Sequence, residues 1–366
     1  MVKRVILHVG TSKTGSTAIQ DSLHGYDDGA VLYAPFDSAN HSKAMLTLFS
    51  EKYWQRRHWT KTGTSREEID RRREEYRDVL STTLQRQDRD IVIISGEELC
   101  YMMDDPKRHM IETLSSFGCD VTIVCYVRDL TSFAVSQFQQ QVKSGLADVP
   151  YLVRHSYEHC IEPFRKLVGS KNVVVRRFDR ETLIGGDVVV DFCDVAGIAA
   201  PVVKASNRSM SADATKLLFH FNKCGPVHSG SHAHAAAHVK FYLAVKKAYR
   251  DYPKLDPLYF VPRIDFETQN YLSDHHGISF DVPESPYGRD DVIQYLDDVG
   301  SVDLEPLNKI LRERRLGTAT PENVLEQLSR LYTRFLTNQI KKRSGLFWAF
   351  GVSRLHRRFG KDQLEV

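Results

Sequence analysis

The stretch from Leu7 to Leu23, LHVGTSKTGSTAIQDSL, carries residues that could bind an anion at the start of a helix. An apolar run before it predicts a buried strand, and Gly10 and Gly15 bracket a tight loop. Residues 16–17, Ser and Thr, are typical of a helix start. Backbone N–H groups and the positive end of the helix dipole would converge there, so we expect a phosphate-binding loop, with Lys13 adding a positive charge.

The order of residues in this loop differs from that of a P-loop. A P-loop places lysine directly after glycine, with a hydroxyl next to it that holds magnesium. The order here is Lys13-Thr14-Gly15-Ser16-Thr17. It resembles the 5′-phosphosulfate loop of the sulfotransferases that use 3′-phosphoadenosine 5′-phosphosulfate (PAPS). The resemblance implies that Thr14, Gly15, Ser16 and Thr17 bind the 5′-phosphate and that Lys13 stabilises the transferring sulfonate.

A second anion-binding pair follows an apolar strand. Arg128 ends the run VTIVCYV, and Ser136 lies on the next predicted helix. An arginine fork can bind a phosphate with two hydrogen bonds, although an arginine in this position is often only part of a surface ion pair. The segment CYVRDLTSFAVSQFQQ resembles the 3′-phosphate motif of the same family, in which Arg and Ser hold the 3′-phosphate of PAPS.

The resemblance runs from about residue 4 to about residue 207 and is strongest to bacterial members of the family. It includes VVVRRFDRETL, DVVVDFCDVAGI and the tripeptide Asn207-Arg208-Ser209. It implies transfer of a sulfuryl group from PAPS to a hydroxyl or amine, without a metal. No resemblance extends beyond about residue 225.

Transfer to a hydroxyl needs a general base, and the sequence offers more than one. Glu97 follows the strand DIVIIS, where cytosolic sulfotransferases place a catalytic histidine. His41 follows the second strand, where glycan and tyrosyl-protein sulfotransferases place a catalytic glutamate. At each of these two positions, the residue type in this chain therefore differs from that of the family. Glu98, next to Glu97, is the alternative base. Glu97 could instead be a helix N-terminal carboxylate and His41 a capping residue of a turn; we favour Glu97 as the base.

The elements that must position these residues alternate between strand and helix in the first half of the chain. The pattern predicts an α/β fold, a doubly wound parallel sheet with the P-loop-like phosphosulfate loop, followed by a mostly helical C-terminal region. We place the PAPS-binding core at residues 1–205 and the helical region at 206–366, packed on the core and shaping the acceptor site. Because ligands bind at the carboxyl ends of parallel strands, the loop, Glu97 and Arg128 should converge.

Three other patterns allow more than one interpretation. The charged stretch TSREEIDRRREEYRDVLSTTL, in which Ser65 and Glu68 form a capping box, predicts a solvated surface helix or a lid for an anionic acceptor. A cluster of histidines could bind zinc, or form a polar helix start or an acceptor loop: His228, His232, His234 and His238. The basic stretch 334–361 contains Leu346-Phe347-Trp348-Ala349-Phe350 and is either a peripheral membrane segment or a packed helix.

Composition narrows the class of protein. The chain has 366 residues, 42% apolar and 27% charged, as in an ordinary soluble globular protein, and a net charge of +3 gives no argument for nucleic acid. Its six cysteines are scattered, which favours buried thiols in a reducing compartment, and the first apolar run is too short for a signal peptide. We therefore expect a cytoplasmic protein, with possible membrane contact through 334–361.

The leading hypothesis is a PAPS-dependent sulfotransferase whose acceptor is a small molecule or glycan, including a carbohydrate or glycolipid. The alternatives are a P-loop NTPase or small-molecule kinase, and a non-catalytic nucleotide- or glycan-binding protein on the same scaffold. Magnesium dependence distinguishes the kinase, and binding without turnover distinguishes the binding protein.

Overall fold

A parallel β-sheet organises the first half of the chain. The computed structural model describes residues 2–203, 209–225 and 232–358, and the side chains within these ranges except those of residue 232 and residues 342–358. Among the described residues, five strands pair in the order β2-β3-β1-β4-β5, and each pairing is parallel. The strands are β1 (Arg4–Gly10), β2 (Val31–Tyr33), β3 (Ile91–Ser95), β4 (Asp120–Val127) and β5 (Val173–Arg177).

The strands β1, β3 and β4 are near-continuous apolar runs because both faces of the sheet are covered. Since β1 lies between β3 and β4, the carboxyl ends of these three strands meet at one edge. The segments that follow them begin at Thr11, Gly96 and Arg128. The sheet therefore brings together the segments that the sequence analysis expected to converge, and the prediction of an α/β fold around a parallel sheet is confirmed.

Helices connect and follow these strands. Those of the first half are α1 (Ser16–Leu23), α2 (Ser42–Phe49), α3 (Arg57–Thr60), α4 (Arg66–Leu84), α5 (Asp104–Ser116), α6 (Leu130–Lys143), α7 (Tyr157–Val168) and α8 (Val188–Ala196). Those that follow are α9 (Ala212–Cys224), α10 (His232–Ala248), α11 (Asn270–His276), α12 (Asp291–Asp297), α13 (Glu305–Glu313) and α14 (Val324–Arg358). The region after residue 208 is thus mostly helical, as predicted.

The chain divides into two compact units. The first comprises residues 1–133, 153–207 and 264–282, and the second comprises 134–152, 208–263 and 283–366. The sheet lies in the first unit, together with α11. Helices α9, α10, α12, α13 and α14 lie in the second unit. Residues 134–152 and 264–282 therefore each pack with a part of the chain that is distant in sequence.

One face of the sheet packs against α1 and α8 and forms a hydrophobic core. Ile6, Val124 and Tyr126 contribute from the strands, and Ile19 and Phe192 from the helices. These side chains are buried, so they fix the position at which α1 begins. Asp187 is the N-cap of α8, and Gly197, in the left-handed conformation, is its C-cap.

Helix α4 is a charged surface helix. The Ser65 hydroxyl accepts a hydrogen bond from the Glu68 N–H, which is half of the predicted capping box. The Glu68 carboxylate instead pairs with Arg71 and Arg72 on its own helix. These exposed pairs along one helix are typical of a solvated face.

Two of the four clustered histidines, His234 and His238, lie in the second unit, and the structure describes their contacts. The His234 ring bonds to the Tyr332 hydroxyl at 3.0 Å, and the His238 Nε2 bonds to the Lys143 carbonyl at 2.8 Å. His228 lies outside the described residues, as do Asn207 and Arg208. None of the described helices has a segment both long and apolar enough to cross a membrane.

Candidate functional site

The loop between β1 and α1 has the backbone geometry of an anion-binding loop. Gly10 and Gly15 have positive φ angles of 107° and 81°, and Lys13 also lies in the left-handed region, at 66°. In the described part of the chain, no side chain caps the N-terminus of α1, whose first residue is Ser16. The first N–H groups of α1 can therefore donate to a ligand.

Hydroxyl groups of the loop bond back to its own backbone. The Thr11 carbonyl accepts from Thr14 Oγ1 at 2.6 Å and from Ser16 Oγ at 3.3 Å. The Thr11 hydroxyl in turn donates to the Tyr126 carbonyl on β4 at 3.0 Å. Thr14 and Ser16 are buried, whereas Thr17 is exposed on the first turn of α1. The residues predicted to bind the phosphate thus form one turn held by its own hydrogen bonds. Because the Thr14 and Ser16 hydroxyls donate to the Thr11 carbonyl, the N–H groups are the donors available to an anion.

The position of Gly15 explains why a side chain is excluded there. A Cβ atom at this residue would lie 2.8 Å from Val188 and 2.9 Å from the Phe178 ring. Phe178 belongs to the segment VVVRRFDRETL and Val188 to the segment DVVVDFCDVAGI, which both carry the resemblance. Their side chains pack against the loop, so these segments help to fix its position.

Arg128 lies against this loop. Its Nη1 donates to the Lys13 carbonyl at 2.6 Å, and its guanidinium is 5.5 Å from the centre of the Phe178 ring. Burial lowers the pKa of Arg128, although Asp129 acts in the opposite direction. The buried Nε has no hydrogen-bond partner among the described residues, and no carboxylate there lies within salt-bridge distance of the guanidinium. A half-buried cation in this state is suited to binding an anionic ligand.

Glu97 lies on the opposite side of the same loop. The backbones of Gly10 and Glu97 lie close together: a Cβ atom added at Gly10 would be 2.9 Å from the Glu97 carbonyl oxygen. Burial raises the pKa of the half-buried Glu97 carboxyl, and the nearby Lys13 ammonium partly offsets this shift. A carboxylate beside a lysine at an anion-binding loop can accept a proton from a bound acceptor.

The other two base candidates have different surroundings. His41 is fully buried, and its Nδ1 accepts a hydrogen bond of 3.1 Å from the Ser95 N–H. Burial lowers the pKa of His41 to about 3, so the ring is neutral and holds the end of β3 to the start of α2. Glu98 is exposed, and its N–H donates to the Ser42 hydroxyl. The described contacts therefore favour Glu97, and its role as base stays a prediction.

Two tyrosines that the sequence analysis did not single out contact the site. The Tyr101 hydroxyl bonds to Ser12 in the loop. The Tyr157 hydroxyl donates to the Arg128 carbonyl and accepts from the Arg128 N–H at 3.3 Å. Tyr101 follows Glu97 by one helical turn, but no sequence pattern shows that its ring reaches residue 12.

The sheet thus brings together the loop with Lys13, Glu97 and Arg128. Ser136 lies on α6, within the second unit and eight residues after Arg128 in the chain, and it is half-buried. Its predicted contact with the 3′-phosphate stays a prediction. His41 is close to this edge of the sheet but does not reach solvent.

Comparisons with known proteins add one structural likeness. No family model matches the chain, and no curated protein matches it significantly. A solved structure, the crystal structure of a sulfotransferase from Alicyclobacillus acidocaldarius, is similar with a TM-score of 0.36 and 15% sequence identity. The match covers 66% of this chain and 95% of that chain.

Proposed function

We propose that this protein is an enzyme, a sulfotransferase that transfers a sulfuryl group from PAPS to a hydroxyl or amine of its acceptor. One observation carries the proposal: Arg128, a half-buried cation without a carboxylate partner in the described part, donates to the carbonyl of Lys13 in an uncapped phosphate loop. The Arg128 guanidinium thus lies against the backbone of the loop that carries the Lys13 ammonium. A nucleotide with anionic groups at both the 5′ and the 3′ position suits such a pair.

The order of residues in the loop supports sulfuryl rather than phosphoryl transfer. Lys13 precedes the glycine at the helix start, so the residue after Gly15 is Ser16 and not the lysine of a P-loop. In the proposed reaction, the loop N–H groups hold the 5′-phosphate and Arg128 binds the 3′-phosphate. Lys13 stabilises charge on the transferring sulfonate and the departing phosphate.

Glu97 completes the proposed mechanism as the general base. The acceptor hydroxyl gives its proton to the Glu97 carboxylate while its oxygen forms a bond to sulfur. The bond between sulfur and the bridging phosphate oxygen breaks, and 3′-phosphoadenosine 5′-phosphate (PAP) leaves. A carboxyl whose pKa is raised by burial is a stronger base than an exposed one and is therefore suited to this step.

Nucleotide binding tests this proposal most directly. A thermal-shift titration with PAP should stabilise the protein, with about 2.7 kcal/mol gained at 100 times the dissociation constant. Adenosine 5′-phosphate, which lacks the 3′-phosphate, should stabilise it less. Stabilisation by ATP with magnesium, and none by PAP, would overturn the proposal.

Turnover then separates an enzyme from a binding protein. We expect PAPS to be consumed with a chelator present, given an acceptor from a panel of carbohydrates, glycolipids and small alcohols and amines. We propose a hydroxylated acceptor such as a carbohydrate, because Glu97 can deprotonate a hydroxyl. Tight PAP binding without PAPS consumption on any acceptor would instead indicate a non-catalytic nucleotide-binding protein.

A kinase or NTPase remains the second candidate because Glu97 follows β3, the strand next to β1, where an acidic residue could bind magnesium through water. This candidate predicts ATP hydrolysis or phosphoryl transfer that requires magnesium. The displaced position of Lys13 argues against it. Activity on PAPS in the absence of divalent metal would exclude it.

A further inference from the structure

Tyr101 contacts the phosphate loop through its hydroxyl group. The Ser12 N–H donates to Tyr101 Oη at 3.2 Å, and the two hydroxyl oxygens are 2.8 Å apart. Tyr101 ends a short 3₁₀ turn, Leu99–Tyr101, that directly follows Glu97 and Glu98. Tyr101 as a whole is 39% exposed, whereas its hydroxyl is held by the loop.

A count of hydrogen atoms shows what this contact provides. Each of the two hydroxyl groups carries one proton. Only one of these protons lies in the bond between the two oxygens, whichever group donates it. The second proton can therefore be donated to a third group. A loop that binds an anion gains from a hydroxyl proton held in one orientation by a neighbour.

The segment that carries Tyr101 touches the loop at a second place. Gly10 approaches the Glu97 backbone closely. The segment 97–101 is thus attached to the loop at residue 10 and again at residue 12. These two attachments fix the position of Glu97 relative to Lys13.

An aromatic group connects Tyr101 with the Arg128 side of the site. The ring of His155 lies between Tyr101 at 5.9 Å and Tyr157 at 4.5 Å, and it stacks on Phe133 at 4.3 Å. His155 is 5% exposed, and its buried Nε2 has no hydrogen-bond partner among the described residues. Since Tyr157 bonds to the Arg128 backbone, the rings of Tyr101, His155 and Tyr157 connect the phosphate loop with Arg128.

We propose that Tyr101 is a positioning residue of the donor site. It holds Ser12 so that one hydroxyl proton of the Ser12–Tyr101 pair is donated to the anionic group in the loop. Through His155 and Tyr157, it also fixes the loop relative to Arg128. This inference rests on the proposed function, because it assigns Tyr101 a role in binding the donor for that reaction.

A double-mutant cycle tests this role. Tyr101→Phe removes only the hydroxyl, and Ser12→Ala removes its partner. We expect each substitution to lower kcat/KM for PAPS about 10-fold and to leave KM for the acceptor within about 3-fold. The double variant should also lose about 10-fold rather than 100-fold, because the two groups act as one unit. Independent losses that multiply to about 100-fold, or a fully active Tyr101→Phe, would overturn the inference.

Hydrogen exchange separates a failure of this inference from a failure of the proposed function. In the ligand-free protein, Tyr101→Phe should increase amide exchange in the peptide that covers residues 9–17, and no donor is needed for that measurement. Wild-type exchange in the variant would overturn the Tyr101 contact while leaving PAP binding by the native protein unaffected. If the native protein binds no PAP, the proposed function fails and the assigned donor role fails with it, whatever the exchange result.

A matched variant controls for general effects of losing a tyrosine hydroxyl. The Tyr252 hydroxyl bonds to Asp303 in the second unit, so Tyr252→Phe removes the same atom far along the chain from the loop. We expect Tyr252→Phe to retain native kcat/KM for PAPS and native exchange in residues 9–17. Equal losses in both variants would overturn a specific role for Tyr101.

Discussion

At the scale of single residues, the most informative substitution is Glu97→Gln. It keeps the size of the side chain but removes the base beside Lys13. We expect kcat to fall by about 10²-fold or more, in the range typical of general acid–base catalysis. The affinity for PAP, measured by titration calorimetry, should remain native because the loop N–H groups and Arg128 are unchanged. Glu98→Gln is the matched variant, since that carboxylate is exposed. Near-native turnover of Glu97→Gln would rule out Glu97 as the base, and a loss of turnover in Glu98→Gln would assign the role to Glu98.

Arg128→Lys tests the second phosphate contact. Lysine keeps the charge but cannot reproduce the guanidinium fork or its bond to the Lys13 carbonyl. We expect the affinity for PAP to fall by about 10-fold to 100-fold, as is typical when a charged hydrogen bond is lost. The affinity for adenosine 5′-phosphate should fall much less. Equal losses for the two nucleotides would show that Arg128 supports the loop without binding the 3′-phosphate.

The sequence predicted that three charged residues lie near one loop, but it did not predict the contacts around them. Lys13, Glu97 and Arg128 were recognisable because each directly follows an apolar strand or lies in the loop after one. The Tyr101–Ser12 contact was not recognisable, since it joins residues 89 positions apart in the chain. The burial of His41 also results from packing, with the Tyr33 and Phe36 rings 4.5 and 5.1 Å away.

At the scale of elements, the turn from β1 into the phosphate loop depends on Gly10. Its φ angle is 107°, and an added Cβ would lie 2.9 Å from the Glu97 carbonyl oxygen. We expect Gly10→Ala to lower the free energy of unfolding by about 2–4 kcal/mol, because backbone strain and a backbone clash both contribute. Denaturant unfolding would measure this loss, and PAP affinity should fall with it.

Gly118 provides the matched control for that substitution. Its φ angle is also positive, at 76°, but among the described residues no atom beyond its two chain neighbours lies within 4 Å of an added Cβ. Gly118→Ala should therefore cost only the backbone strain, about 1 kcal/mol, and leave PAP affinity unchanged. Equal losses of stability in the two variants would contradict a close approach between Gly10 and Glu97.

Elements of the first half were predictable because their patterns are strong. The strands β1, β3 and β4 are near-continuous apolar runs, and capping residues delimit α4 and α8. Helices α11 and α12 were not predicted, since each has only seven residues and the surrounding sequence lacks a clear period. The sequence pattern also could not show that residues 264–282 belong with the sheet, because only packing between distant segments decides this.

At the scale of the whole molecule, two buried histidines should make stability depend on pH. Burial lowers the pKa of both His8 and His41 from 6.5 to about 3, and neither side chain is exposed. Between these values the unfolded chain binds protons that the folded protein does not. The contribution of these two histidines to the free energy of unfolding is therefore fully present above about pH 6.5. It is lost as the pH decreases towards about 3, by up to about 1.4 kcal/mol per pH unit for each histidine.

Urea unfolding of His41→Gln at several pH values would test this. The variant loses stability at pH 7 because the ring packing and the Ser95 contact change. Its stability should nevertheless decrease less steeply than that of the native protein between pH 6 and pH 4. An unchanged slope would mean that the His41 ring accepts a proton in the folded state.

The basic C-terminal stretch leads to a prediction about membrane surfaces. Residues 334–361 contain eight Lys or Arg and no Asp or Glu. Helix α14, which includes most of this stretch, packs with α10 in the second unit. On α10, Val239 and Leu243 are 44% and 47% exposed and Lys240 and Lys247 are exposed between and beside them. Basic side chains next to exposed apolar ones are suited to anionic lipid headgroups.

Co-sedimentation of the full chain with vesicles would measure this binding. We expect association with vesicles that contain phosphatidylglycerol, little with pure phosphatidylcholine, and loss at high salt, because each basic residue near the surface contributes about 1 kcal/mol that salt screens. Replacement of Lys341, Lys342 and Arg343 by Gln should weaken binding more than replacement of Arg71 and Arg72, which pair with glutamates on α4. Equal binding to neutral and anionic vesicles, or equal effects of the two sets of substitutions, would instead favour a C-terminal helix whose basic face is only solvated.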